Sequence, residues 1–160
     1  MGMMDSMEKA QIDELIDLLR KYELSIATLY DTFGALLPSS QKAWNVFANE
    51  ERLHAKWIST LQAHMGTEKV SFEQTKFTIQ STRSAIDYIE RQTENIKKSR
   101  PELKKILAVA IDIEKSLFDS AFFKVFKLSG PKALQIQSQL VKATKNHLER
   151  LIKWQADEKK

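Results

Sequence analysis

Residues 48–57, ANEERLHAKW, place an acidic group and an imidazole where the surrounding sequence predicts a buried helix face. Around this stretch, apolar residues recur at alternating steps of three and four, which is the period of one face of an α-helix. The positions on that face are Trp44, Phe47, Glu51, His54, Ile58, Leu61 and Met65. Glu51 and His54 therefore lie one turn apart at the centre of an otherwise apolar face.

The same helical period runs through most of the chain, and the few glycine and proline residues fall near the ends of the periodic segments. The pattern predicts four long helices and one shorter helix, over about residues 6–36, 41–65, 101–128, 131–156 and 82–98. Ser6 is a candidate N-cap. The polar, β-leaning residues 67–80 predict a connection. Because short turns join antiparallel neighbours, we expect an all-α, antiparallel four-helix bundle with one long crossover that carries the shorter helix.

Composition limits the classes of protein that the chain can belong to. Its 160 residues predict a single domain, residues 1–160, with a bundle core over about 8–156. There is no cysteine, which excludes disulfides, thiolate metal sites and a catalytic thiol. The net charge of +4 is spread along the chain, so no nucleic-acid-binding stripe is expected. The longest uncharged apolar run, residues 106–111, is too short to span a membrane, and we expect a cytoplasmic protein.

Each long helix places at least one ionisable group on or beside its apolar face. These groups are Glu23 in the first helix, Glu51 and His54 in the second, Glu114 in the third and His147 in the fourth. Burying a carboxylate without a partner costs several kcal/mol, so three of them with two imidazoles make little sense as packing. A divalent cation, or two, would compensate the charge. Carboxylate and imidazole ligands suit iron, manganese or zinc.

This arrangement resembles the ferritin-like superfamily, in particular its rubrerythrin-like branch. In that pattern, two helices each supply one glutamate and two others each supply Glu-x-x-His. Glu23 matches the first single glutamate, ERLH (51–54) matches the first Glu-x-x-His, and Glu114 in IDIEKS matches the second single glutamate. TKNH (144–147) falls at the second Glu-x-x-His. The resemblance covers about residues 8–155 and implies a ferritin-like fold that binds two iron ions, with manganese or zinc as alternatives.

Two departures from the family pattern bear on this expectation. Thr144 stands where the family usually has a bridging glutamate, so Glu51 is left as the bridge from the protein. One cation could then use Glu23 and His54 with Glu51, and another Glu114 and His147 with Glu51. A weaker second metal or a mononuclear site stays open. The rubredoxin-like module with its four cysteines is also missing, so electrons would come from an external donor.

The resemblance implies an oxidoreductase that reduces peroxide or dioxygen at a di-iron site. Two alternatives stay open. The first is metal binding without turnover, as in handling or storing iron. The second is a degenerate bundle that acts as an interaction scaffold and carries an empty or structural site.

Several neighbouring residues have expected roles outside the ligand set. Glu50 is predicted to be solvated, and His64 to be structural at the end of its helix. Thr144 is expected to be a small filler, or a hydroxyl behind the ligands. The gap that it leaves could be filled by Glu90 or Glu94 of the crossover helix, or by solvent.

Tyr22 and Tyr30 are expected to pack in the core, with the option of a hydrogen bond to a ligand carboxylate. The phenylalanine-rich stretch 117–126 predicts a cover for the crossover helix or a homodimer face, and its candidate residues are Phe122, Phe123 and Phe126.

Overall fold

The computed structural model describes the backbone of residues 2–64, 70–72, 79–119, 126–128 and 130–160, and the side chains of 9–64, 79–118 and 130–160. This part of the chain is predominantly helical, which confirms the predicted all-α class. Its helices are α1 (Gly2–Leu36), α2 (Gln41–His64), α3 (Ile79–Ser99), α4 (Leu103–Asp119) and α5 (Pro131–Glu158), with a 3₁₀ turn at Pro38–Ser40 between α1 and α2.

Two short strands form a small antiparallel ribbon that the sequence did not predict. β1 (Val70–Phe72) pairs with β2 (Phe126–Leu128), with Ser71 opposite Lys127. The predicted extension of the third helix to residue 128 is therefore wrong. Valine and phenylalanine fit a pleated surface well, and here they pair with a segment far away in the sequence. The side chains of Phe122, Phe123 and Phe126 lie outside the described residues, so the homodimer face stays a prediction.

The remaining boundaries lie close to the predicted ones, with one correction at the start of the chain. α1 begins at Gly2, so Ser6 lies inside the helix and is not its N-cap. α1 packs along both α2 and α3, and α5 packs along both α4 and α2. In the described residues, no helix is long and apolar enough to cross a membrane.

The core forms where the apolar helix faces meet. The face of α1 is buried as the period predicts, at Leu15, Leu19, Tyr22, Ile26, Leu29 and Phe33. Burying each large apolar side chain contributes roughly 1.5–3 kcal/mol, so this face holds α1 firmly against its neighbours. α3 covers α1 with a second apolar stripe, and its buried residues are Thr82, Ile86, Ile89, Thr93 and Ile96.

An aromatic cluster joins α1, α2 and α5 at one end of the core. The Trp44 ring lies 5.4 Å from the Tyr30 ring, 4.9 Å from the Phe33 ring and 4.9 Å from the Trp154 ring, measured between centroids. The Phe47 ring extends this cluster and packs edge-on against the His147 ring, with centroids 5.2 Å apart. The rigid rings therefore hold α1, α2 and α5 together directly beside His147.

Candidate metal centre

All five residues predicted as metal ligands are buried, each at most 3 % exposed. Glu23 lies on α1, Glu51 and His54 on α2, Glu114 on α4 and His147 on α5. The helical period places each of them on or beside the apolar face of its helix. The structure brings them together in one polar centre, which is enclosed by apolar core.

Glu51 is the middle of this centre, because its two oxygens face different histidines. Oε1 lies 2.8 Å from Nδ1 of His147, and Oε2 lies 3.2 Å from Nδ1 of His54. The two imidazole rings are 5.0 Å apart between centroids. One donor atom from each of these three residues lies within 4.8 Å of the others, which is compact enough for a single cation.

The two remaining glutamates flank this group from two different helical hairpins. Glu23 lies on the hairpin of α1 and α2, and Glu114 lies on the hairpin of α4 and α5. Glu114 Oε1 lies 3.2 Å from His147 Nδ1. Glu23 Oε2 lies 3.8 Å from His54 Nδ1, which is too long for a hydrogen bond. Within the described residues, both oxygens of Glu23 and Oε2 of Glu114 are buried without a hydrogen-bond partner. Buried acceptors of this kind are costly, and a cation would satisfy them. The donor set therefore fits a carboxylate- and imidazole-bound metal.

Protons compensate the carboxylates in the metal-free centre. Burial, reinforced by the charge of Glu51, raises the pKa of the Glu23 carboxyl well above its ordinary value. Burial disfavours the charged form of His54, but the adjacent carboxyl groups of Glu23 and Glu51 outweigh it and raise the pKa of His54 to about 10. Because the imidazoles must give up protons to bind a metal, a cation and these protons compete for the same groups.

His147 shows the same balance more strongly. Burial disfavours its imidazolium, but the contacts with Glu114, Glu50 and Glu51 outweigh that effect and raise the pKa of His147 to about 12. Without a bound metal, the raised pKa favours a protonated His147, and in that form both ring nitrogens donate hydrogen bonds. Nδ1 donates towards the centre, and Nε2 donates away from it, to a residue that was not expected there.

That residue is Glu50, and the prediction that it is solvated is wrong. Its Oε2 lies 2.9 Å from Nε2 of His147, and both of its oxygens accept hydrogen bonds from Nη1 of Arg150, at 3.0 and 2.8 Å. Burial opposes ionisation, but His147 and Arg150 outweigh it and lower the pKa of Glu50 to about 2. A signal existed in the sequence. Glu50 lies three residues after Phe47 and four residues before His54, so it stands at the edge of the apolar face that contains them.

Thr144 is buried, and its Oγ1 donates to the carbonyl of Leu140 at 2.9 Å, within its own helix. It is a small side chain that brings no charge to the centre. Glu90 and Glu94 are exposed on α3, and Glu94 pairs with Lys97 at 3.2 Å. The alternative in which one of them fills the gap at Thr144 is therefore wrong.

Tyr30 supports a ligand, whereas His64 lies apart from the centre. The Tyr30 hydroxyl donates to Glu114 Oε1 at 2.8 Å. Burial raises the pKa of both Tyr30 and Tyr22, and the nearby carboxylates reinforce the effect. His64 lies in the last turn of α2, as expected. Tyr30 thus combines core packing with a hydrogen bond to a predicted ligand.

No family model matches the chain, and no curated protein or solved structure matches it either.

Proposed function

We propose that α1, α2, α4 and α5 form a ferritin-like bundle, with α3 in the crossover, and that its centre binds two divalent metal ions, with iron as the first candidate. One observation carries this proposal. Carboxylate oxygens of Glu23 and Glu114 are buried without hydrogen-bond partners in the described part of the chain, beside the compact group of Glu51, His54 and His147. Packing alone gives no reason for such an arrangement.

Each hairpin would contribute most of the ligands for one ion. Glu23, His54 and one oxygen of Glu51 would hold the first. Glu114, His147 and the other oxygen of Glu51 would hold the second. Iron, manganese and zinc all accept such mixed ligands. Thr144 leaves the second set with one carboxylate fewer than the full family pattern, so we expect the two ions to bind unequally.

A rubrerythrin-like oxidoreductase that acts on peroxide or dioxygen is the activity that we propose. When bound, a pair of iron ions supplies the electrons for such a reduction. The chain itself contributes orientation and exclusion of water, because the five ligand side chains are almost completely buried. The Tyr30 hydroxyl donates a hydrogen bond to one carboxylate oxygen of Glu114. The chain has no cysteine, so an external donor would have to restore the electrons.

Metal binding without turnover is the second candidate, and the same burial favours it. A substrate must reach the ions, and the described residues leave the ligands at most 3 % exposed. Iron held in such a centre would exchange slowly and react slowly.

Metal content separates these proposals from an empty scaffold. The protein is loaded with ferrous iron under anaerobic conditions, freed of excess iron and measured by elemental analysis. We expect two irons per chain, lost in Glu51→Ala because this residue serves both ions, and kept in the exposed control Glu90→Ala. One iron per chain would contradict the dinuclear site and leave a mononuclear one. A folded wild-type protein that binds none would contradict metal binding altogether.

Turnover is then tested on the loaded protein. Peroxide is added in small portions with a chemical reductant present, and its consumption is followed together with the ferric absorbance. Repeated consumption of peroxide, abolished in Glu51→Ala, is the result expected of an oxidoreductase. Oxidation of each bound ferrous pair without further consumption would favour iron handling.

A further inference from the structure

We propose that a cleft between α3 and α4 binds the apolar part of an organic hydroperoxide, which is then a substrate of the neighbouring centre. This inference rests on the proposed function, because it names the substrate class of the same centre. The cleft has a volume of about 730 Å³. Side chains of α3 and α4 form its walls, and Tyr22 of α1 lines its inner part.

The size of the cleft is the first argument. Hydrogen peroxide is only slightly larger than a water molecule, which takes up about 30 Å³ in the liquid. The cleft is many times larger, and its volume falls within the range of roughly 300–1,000 Å³ that is typical of sites for small organic molecules. Hydrogen peroxide alone needs no such space, so the volume favours a substrate that has an organic part.

The lining of the cleft is apolar inside and polar at the mouth. Tyr22, Ile89 and Ile113 are buried and form the inner part. Asp112 and Lys115 lie at exposed positions of α4. Because the Asp112 carboxylate and the Lys115 ammonium group have opposite charges, together they add no net charge to the mouth. An uncharged ligand with an apolar body fits this lining better than an ion, which would lose its hydration inside.

The inner part of the cleft lies directly beside the metal centre. Tyr22 precedes the proposed ligand Glu23 on α1, and Ile113 precedes Glu114 on α4. After burial, the charges of Glu23, Glu114 and Glu51 contribute to the raised pKa of Tyr22, so its hydroxyl lies within their electrostatic field. The end of a ligand that reaches Tyr22 is therefore next to the carboxylates of the centre.

Side chains fill two other sides of the centre. Glu50 and Arg150 lie behind His147, where Glu50 accepts a hydrogen bond from each of them. The aromatic cluster around Trp44 and Phe47 covers one end. The cleft, in contrast, is a place where the described residues leave space for a molecule beside the centre.

The reaction that this site implies is a two-electron reduction. The O–O bond of the hydroperoxide breaks, two electrons and two protons are taken up, and one alcohol and one water molecule are formed. One electron would come from each ferrous ion of the proposed pair, which becomes ferric, and the protons would come from solvent. An external reductant restores both ferrous ions, as in the proposed reduction of peroxide.

The first experiment measures binding in metal-free protein, so its result does not depend on the metal. The probe is cumyl alcohol, the stable alcohol that reduction of cumene hydroperoxide yields. It is titrated into the protein while ¹³C-resolved NMR follows the methyl groups. The methyl resonances of Ile89 and Ile113 should shift in a saturable manner, whereas those of Leu151, which is buried on α5 outside the cleft, should not.

Two variants fill the cleft from different helices. Ala85→Trp places a large ring on the α3 wall, and Ser116→Trp places one on the α4 wall. Either variant should weaken binding of cumyl alcohol by about tenfold or more, because the apolar body loses its space. The matched control is Ser84→Trp, at an exposed position of α3 outside the cleft, which should bind as wild type does. Should Ala85→Trp fail to fold, the exposed position of Ser116 carries the test.

The second experiment compares two peroxides with the iron-loaded protein in the presence of a chemical reductant. Wild type should reduce both cumene hydroperoxide and hydrogen peroxide. Ala85→Trp and Ser116→Trp should lower kcat/KM for cumene hydroperoxide by about tenfold or more and leave kcat/KM for hydrogen peroxide nearly unchanged. Ser84→Trp should change neither value.

The outcomes separate this inference from the proposed function. A wild-type protein without saturable shifts at the cleft, or filled variants that bind cumyl alcohol as well as wild type, would overturn the inference alone. Equal losses for both peroxides in the filled variants would also overturn it, because the cleft would then not select the organic part. A protein that binds cumyl alcohol but no iron would overturn the proposed function, and with it the assignment of a hydroperoxide as substrate.

Discussion

The two helical hairpins contribute to the centre in different ways. The α1–α2 hairpin supplies Glu23, Glu51 and His54, so it carries two of the three buried carboxylates. Among its described residues, the α4–α5 hairpin supplies only Glu114 and His147, with Thr144 where the family pattern has a further carboxylate. The half of the centre that α1 and α2 supply (the first half) thus carries more carboxylate groups than the half that α4 and α5 supply (the second half).

Hydrogen bonds from neighbouring side chains favour the second half over the first. Glu23 has both oxygens without a hydrogen-bond partner among the described residues. In contrast, both proposed ligands of the second half, Glu114 and His147, contact side chains of the first hairpin. Tyr30 on α1 donates to Glu114, and Glu50 on α2 accepts from His147. The difference shows that most of the carboxylate charge lies in the first half of the centre, whereas most of the hydrogen-bond support lies in the second half. In the proposed metal site, the first half would attract a cation through its charge, and the second half would offer side chains that are already oriented.

The largest effect that we expect is the pH dependence of the metal-free protein. The folded state keeps protons on His54 and His147 up to pKa values of about 10 and 12, whereas the ordinary value is 6.5. The stabilisation is therefore complete below about pH 6.5 and is lost as the pH rises towards those values. Between pH 6.5 and 9, the free energy of unfolding should fall by about 1.4 kcal/mol per pH unit for each of the two protons. The raised pKa of Glu23 has the same sign.

Urea unfolding at pH 6, 7, 8 and 9 measures this slope in metal-free protein. His54→Gln and His147→Gln should each reduce this slope by the contribution of about one proton. In zinc-loaded protein, the free energy of unfolding should not fall over this pH range, because the metal replaces the protons of the two histidines. A metal-free protein whose stability is level across this range would contradict the protonated centre.

The next largest effect should come from making the two halves alike with Thr144→Glu. In metal-free protein, a further buried carboxylate should cost several kcal/mol of unfolding free energy. With zinc present, the added ligand should tighten binding of the second ion by about tenfold or more, which is ~1.4 kcal/mol. Thr144→Gln has the same size without the charge, so it is the matched control. Titration of zinc against both variants, with unfolding curves for each, gives the comparison. Equal behaviour of the two variants would mean that position 144 does not face the metal.

The sequence predicted the helices well and the ribbon not at all. The apolar face of α1, from Leu15 to Phe33, has a clear period, and local geometry determines which side of a helix is buried. β2 depends on pairing with β1, which lies far away in the sequence. The phenylalanine-rich stretch before it has no turn signal that separates a helix end from a strand. Non-local pairing of this kind leaves no periodic trace.

The same contrast between local pattern and non-local packing explains which residues of the centre could be predicted from the sequence. Glu51, His54, Glu114 and His147 lie on strongly periodic faces, so their burial followed from local pattern. Glu50 lies at the edge of such a face, where an isolated helix would expose it. It becomes half-buried only because α5 brings His147 and Arg150 against it. The period of α2 places Glu50 only at the edge of the face, and its contact with His147 becomes visible only in the tertiary packing.

The smallest effect should come from Tyr30→Phe, which weakens the support of the second half and keeps its ligands. The change removes the donor to Glu114 Oε1 and leaves the ring in the aromatic cluster. A buried carboxyl group then loses a hydrogen bond, so the free energy of unfolding should fall by about 1–3 kcal/mol. Tyr88→Phe, which removes the hydroxyl of an exposed tyrosine, is the control. Zinc titration should show weaker binding of one ion only, because Glu114 belongs to one ligand set. Equal weakening of both ions would mean that the two halves are not separate in the way that their hydrogen bonds indicate.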